Sequence, residues 1–196
     1  MREFIIATNN QHKVVEIERI LSPLGITAAT AGERGVDLGD VVEDGDTFAA
    51  NARIKAQHAY ALCHCPVIAD DSGLCVDALG GRPGIYSARY GGEDATFLEK
   101  ISLLLDELKD VPDEERTAHF SCAVCCIIDE NTVIEVEGRC EGRIARAPYG
   151  DGGFGYDPIF TVDGRSFASL SSEEKDRCSH RGNALRKLRE ALQGFL

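Results

Sequence analysis

Pro66-Val67-Ile68-Ala69-Asp70-Asp71-Ser72-Gly73 is the stretch on which the reading of the chain turns. Its first four residues are short, apolar and partly β-branched, the pattern of a buried strand. Polarity switches abruptly at Asp70-Asp71, and the strand is expected to end there. Ligands of α/β sheets collect beyond the carboxyl ends of strands, so these two carboxylates are candidates for holding a hard cation or for general-base work. Side chains adjacent on extended backbone point opposite ways, so the two are expected to do different jobs. Asp-Ser-Gly alone reads equally well as a turn. The sequel weighs against that: Gly80-Gly81, Pro83-Gly84 and Tyr86 to Tyr90 around Arg89 form a long glycine-rich loop, a type that commonly lines a site.

Working outward, Phe4 to Thr8 reads as another buried strand, and Asn9 to Lys13 leads into a helix with Val14, Ile17, Ile20 and Leu21 on one face and Glu16, Glu18 and Arg19 on the other. Pro23 and Gly25 end it. Thr8-x-Asn10-x-x-Lys13 thus stands at a strand-to-helix junction, where backbone N–H groups favour anions. A plain helix cap with a solvated lysine fits as well. A short strand from Ile26 to Ala29, an acidic loop with Glu43, Asp44 and Asp46, and a helix from Phe48 to about Leu62 capped by Thr47 follow. Glu43 rises above ordinary solvated surface only if it faces Asp71.

Beyond the central loop, Ala95 to Leu108 has the spacing of an amphipathic helix. Thr117 to Asp129 and Val133 to Ile144 are expected to form a hairpin across Glu130-Asn131, with charges on one wet face. Gly150 to Phe160 combines glycines with Phe154, Tyr156 and Asp157, suited to a flat ligand such as a purine, or else a glycine hairpin with two core aromatics. Lys175, His180 and Arg181 are a basic cluster able to meet phosphate or a carbonyl edge. Taken alone they read as a helix end and the approach to a last helix, Ala184 to Leu192.

The 196 residues suit a single domain, with two lobes possible, and the net charge of −12 argues against a nonspecific nucleic-acid or membrane surface. No apolar run approaches the roughly 20 residues of a membrane-spanning helix, and no signal-peptide pattern opens the chain. A cytoplasmic protein is expected. Cys63-His64-Cys65 and Cys122 to Cys126 invite a zinc reading, but period two puts Cys122 and Cys125 on opposite faces of a strand, so core cysteines are expected instead.

Taken together and in order, the stretch Thr8 to Lys13, Thr47-Phe48 with Asn51-Ala52 and Lys55-Ala56, Asp70 to Tyr90, Gly152 to Phe160 and Ser179 to Gly182 closely resemble the inosine/xanthosine triphosphate pyrophosphatases. The resemblance implies an elongated α/β fold with a long twisted mixed β-sheet flanked by helices, two lobes with a central cleft, and a homodimer. It implies magnesium-dependent hydrolysis of ITP, dITP or XTP to the monophosphate and pyrophosphate, which cleanses the nucleotide pool. Asp71 would be the general base and, with Glu43, a magnesium ligand. Thr8, Asn9, Asn10, Gln11, His12 and Lys13 would bind the triphosphate and Ser72 the substrate. Phe154, Gly155, Tyr156, Asp157, Lys175, His180 and Arg181 would hold a 6-oxo purine base and nearby groups. Many relatives carry glutamate where this chain has Ala50, which leaves Glu43 and Asp71 carrying more of the metal site. A related enzyme for modified pyrimidine triphosphates and a non-catalytic nucleotide-binding protein are the alternatives.

Overall fold

The computed structural model describes residues 3–195. Its strands are β1 (Glu3–Ile6), β2 (Thr27–Thr30), β3 (Val67–Val76), β4 (Thr117–Asp129), β5 (Thr132–Ile144), β6 (Phe160–Val162) and β7 (Arg165–Ser166), and its helices are α1 (Gln11–Leu21), α2 (Phe48–Cys63), α3 (Phe97–Glu107), α4 (Ser172–Cys178) and α5 (His180–Leu192). The strands form one sheet in the order β2-β1-β3-β4-β5-β6-β7. β1 runs parallel to β2 and β3, whereas β5–β6 and β6–β7 are antiparallel, so the sheet is mixed. The described residues divide into two compact units, the first made of residues 3–71, 122–138 and 180–195, the second of 72–121 and 139–179.

The first unit is three layers. On one face of its sheet Phe4, Ile6, Ile68, Cys122, Val124 and Cys126 pack with Val14, Ile17 and Leu21 of α1 and with Leu185, Leu188 and Leu192 of α5. On the other, Ile5, Ala7, Val67, Ala69, Ala123 and Cys125 pack against Ala52, Ala56 and Ala59 of α2. Burying side chains of Val or Leu size contributes about 1.5–3 kcal/mol each. The small alanine methyls serve another end, letting α2 lie close to the sheet. Cys122 and Cys125 occupy opposite faces, as period two dictates.

In the second unit Leu74, Val76, Ala118, Phe120, Cys140 and Ile144 meet Ile101, Leu104 and Leu108, and Phe120, Phe160 and Phe167 stack edge and face within the same core. The odd-numbered positions of β5 from Val133 to Arg143 are all exposed, which gives the wet face expected of it. A Thr96–Glu99 capping box starts α3, and a Ser171–Glu174 box starts α4, each worth about 1 kcal/mol.

Three expectations need correction. β3 does not stop at Ala69 but continues to Val76, taking Asp70 and Asp71 into the sheet. Paired counter-charges, described below, make buried aspartates tolerable there. α5 starts at His180, four residues earlier than Ala184, because Ser179 adopts an extended conformation that closes α4 and lets a new helix begin at once. Glu16 lies at 8 % exposure instead of on the solvent face of α1.

Candidate active site

The two aspartates of β3 point to different sides, each into its own charge cluster. Asp70 is 1 % exposed. Its Oδ2 lies 2.9 Å from Lys13 Nζ and accepts from Arg181 Nε and Nη2, each at 3.3 Å. Arg181 Nη1 also donates to Glu16. The four side chains close a ring: Lys13 and Glu16 stand one turn apart on α1, Asp70 comes from β3 and Arg181 from α5. Two positive and two negative charges balance, as burial requires. Burial alone would raise the Asp70 carboxyl, but Lys13, Arg181 and Lys55 outweigh it and hold it well below the ordinary carboxylate range.

Asp71 faces α2. Its Oδ2 accepts from Asn51 Nδ2 at 3.2 Å and its Oδ1 lies 3.3 Å from Lys55 Nζ. The same ammonium is 3.0 Å from Glu43 Oε2. Glu43 therefore does meet Asp71, through a shared cation. Asn51 and Lys55 are four residues apart and so share one face of the helix. Asn51 Oδ1 also accepts from the Gly45 N–H at 2.9 Å, which ties the acidic loop to the first turn of α2. Thr47 caps that turn through the Ala50 N–H. Burial raises the Asp71 carboxyl above its ordinary value; Lys55 and Lys13 pull it down, Glu43 pushes it up, and the balance stays upward.

The donor set fits a divalent cation. Two carboxylate oxygens converge on one cationic point, both hard ligands, and magnesium needs few protein ligands because it keeps waters and substrate oxygens in its shell. α2 offers Asn51 and Lys55 here, an amide and an ammonium; with Ala50 in its first turn it brings no acid to the cluster.

At the β1–α1 junction Thr8 is half-buried, while Asn9, Asn10, Gln11 and His12 are exposed. Asn10 is the helix cap, its Oδ1 accepting from the His12 and Lys13 N–H groups at 3.0 and 3.4 Å. Lys13 is not the solvated lysine of a plain cap, since Asp70 holds it.

The second unit holds Ser72, Phe154, Gly155, Tyr156, Asp157 and Lys175. Asp157 Oδ2 accepts from the Phe154 N–H at 2.8 Å and from Lys175 Nζ at 2.7 Å, and that ammonium sits 4.5 Å from the centre of the Phe154 ring. Gly153 is obligatory: its φ is +71° and a Cβ there would stand 2.2 Å from Asp157 Oδ2. Asp157 is 3 % exposed and engaged with Lys175, so the loop offers a flat ligand the half-buried Phe154 ring and main chain, not this carboxylate. Tyr156 belongs to the core, 3 % exposed, with its hydroxyl donating to Ser87 O. Gly155 packs over Phe97. Ser72, half-buried, follows Asp71 in β3 and belongs to this unit, whereas His180 and Arg181, both buried, open α5 in the first. Of the basic cluster of the sequence, Lys175 pairs with Asp157 and Arg181 with Asp70 and Glu16.

Three residues of the first unit were not among the predicted site residues, Glu16, Asn51 and Lys55, and Asp70, read as a candidate cation ligand or base, is engaged instead with Lys13 and Arg181. For α2 a signal existed, since Asn51 and Lys55 form a polar stripe beside the alanine face.

The sequence pattern that defines the Ham1 family matches residues 4–191. The chain belongs to the Ham1 family. It is 48% identical over 197 residues to a dITP/XTP pyrophosphatase of Shigella flexneri, spanning 98% of this chain and 99% of that one. A Geobacillus kaustophilus protein of the same name is 49% identical over 192 residues, spanning 97% and 94%. Among solved structures, a HAM1 protein from Coxiella burnetii superposes with a TM-score of 0.89 at 40% identity, covering 99% of this chain and all of that one. The Staphylococcus aureus Ham1 protein gives 0.88 at 40%, with both chains fully covered. This Ham1 chain has, among its described residues, no helix long and apolar enough to cross a membrane.

Proposed function

We propose that the protein hydrolyses deaminated purine nucleoside triphosphates, ITP, dITP and XTP, to the monophosphate and pyrophosphate, in the cytoplasm and as a homodimer. The observation that carries the reading is the convergence of Glu43 and Asp71 on one cationic point, in a chain similar from end to end to proteins named dITP/XTP pyrophosphatases.

Asp71 takes the proton of the attacking water. The water oxygen bonds to phosphorus, the anhydride bond between the α and β phosphates breaks, and pyrophosphate leaves with the electron pair. Burial raises the Asp71 carboxyl in the metal-free protein, a rise that a bound cation would oppose. Asn51 fixes its orientation. Glu43 and Asp71 would hold magnesium, which when bound neutralises phosphate charge and acidifies water. Lys13, fixed by Asp70, places a positive charge beside the Thr8–Asn10 loop for the triphosphate. The Phe154 ring and the main chain around it are assigned to the base. Donors facing a 6-oxo group would be left unpaired by adenine, at about 1–3 kcal/mol each.

The test is pyrophosphate release from ITP and XTP beside ATP and GTP, with magnesium and with chelator. Fast, magnesium-dependent conversion of ITP and XTP alone is expected. Asp71→Asn should slow it by about 10²–10⁴-fold, the usual worth of a general base, with an unchanged circular-dichroism spectrum. No turnover of any of these, or an Asp71→Asn variant of wild-type rate, would overturn the assignment.

A further inference from the structure

The geometry points to Lys55 as the resident counter-ion of the two-carboxylate site: its ammonium stands where Glu43 and Asp71 converge, and a divalent cation enters only as that ammonium leaves. The inference rests on the reading of Glu43 and Asp71 as the cation-binding pair. Lys55 Nζ lies 3.0 Å from Glu43 Oε2 and 3.3 Å from Asp71 Oδ1, and its side chain is only 14% exposed. The other Asp71 oxygen is taken by Asn51, one turn earlier on α2. The root of Lys55 is fixed, because Ala52, Ala56 and Ala59 seat the helix on the sheet and Thr47 caps its start.

A hard divalent cation binds carboxylate oxygens at about 2.0–2.6 Å. It cannot share these two oxygens with an ammonium about 3 Å from both, since the two positive charges would then stand within a few ångströms of each other. With Lys55 in place the three groups carry a net charge of only −1, a poor site for a lone divalent ion. A triphosphate brings several negative charges of its own and arrives with its metal. The expected order follows: the nucleotide-free protein binds metal weakly, and metal enters with the substrate. Lysine suits the exchange because its ammonium is a point charge on a flexible four-carbon stem, whereas arginine would grip the carboxylates with a planar fork.

Manganese binding to the nucleotide-free protein, read from the electron paramagnetic resonance signal of the unbound ion, tests this without any turnover. Lys55→Met should bind manganese at least about tenfold tighter than wild type, because a positive charge at contact distance is gone. Lys55→Gln should follow it if the methionine variant folds poorly. Lys55→Arg should bind more weakly than wild type, and Glu43→Gln added to Lys55→Met should remove the gain. Equal affinity in wild type and in the neutral variants, immeasurable in all or tight in all, would overturn the inference. Tighter manganese without turnover of any triphosphate would sustain it while sinking the proposed reaction; turnover with unchanged manganese affinity would do the reverse.

Discussion

A guanidinium with 2 % of its surface exposed must find its counter-charges inside the protein, and Arg181 finds them in Glu16 and Asp70. Those carboxylates come from α1 and β3, so one side chain ties three elements of the first unit together. Arg181→Ala would take the guanidinium from both acids and leave Asp70 to Lys13, and removing one partner of a buried ion pair costs about 3–5 kcal/mol. Urea unfolding should register that loss, with Arg181→Lys intermediate because it keeps the charge but loses the fork. A variant as stable as wild type would show that the guanidinium does not hold Asp70. The pairing of Arg181 with Glu16, 165 residues away, could not be read from the sequence. Periodicity put Glu16 on the wet face of α1, although its place beside Ile20, four residues on, borders the apolar stripe. What could be read was the division of labour between Asp70 and Asp71, because alternation along extended backbone is a local property. Which of the two meets Glu43 depends on how α2 packs, which is not local.

The placement of Arg181 depends in turn on how closely α5 approaches the sheet. Gly138 of β5 lies under the first turn of that helix: a Cβ there would come within 2.2 Å of His180 O and 2.3 Å of Ala184 N. Both are backbone atoms, so a side chain cannot simply rotate away. Gly138→Ala should push the start of α5 off the strand, at a cost of at least about 1–3 kcal/mol as for other overpacked sites. It should also loosen the Arg181–Asp70 contact and so lower activity as well as melting temperature. Wild-type melting and rate in this variant would contradict the close approach. Most elements were legible because each follows one period over its length: the hairpin of β4 and β5, the apolar stripes of α1 and α3, the Thr47 cap of α2. The end of β3 was not. Asp-Asp-Ser-Gly has turn chemistry, and only counter-charges from α1, α2 and α5 let the strand carry it onward into Leu74 and Val76. The early start of α5 was hidden likewise, since its first turn is held by packing at Gly138 and not by an apolar stripe of its own.

Across the whole molecule, the two aspartates give stability opposite dependences on pH. Asp70 is held below its ordinary value, so the folded state keeps it ionised when the unfolded chain, near pKa 3.9, already takes up a proton. Its contribution is complete above about pH 4 and is lost as pH falls below that. Asp71 is raised, so between the unfolded and folded values the native protein binds the extra proton. Stability from this group therefore declines as pH rises from about 3.9 toward the folded value. Asp71→Asn cannot titrate and isolates the effect. With metal removed by chelator, urea unfolding of wild type and variant from pH 3.5 to pH 7 should show the variant gaining on wild type as pH rises, then a constant difference once Asp71 is ionised in both states. Below pH 4 both should lose stability together, because the ring around Asp70 is intact in each. A difference that stays flat from pH 4 upward, or slopes the other way, would mean that burial does not raise Asp71. Added manganese should shrink the slope more in a Lys55→Met background than in wild type, since a cation between Glu43 and Asp71 favours the ionised carboxylate that burial disfavours.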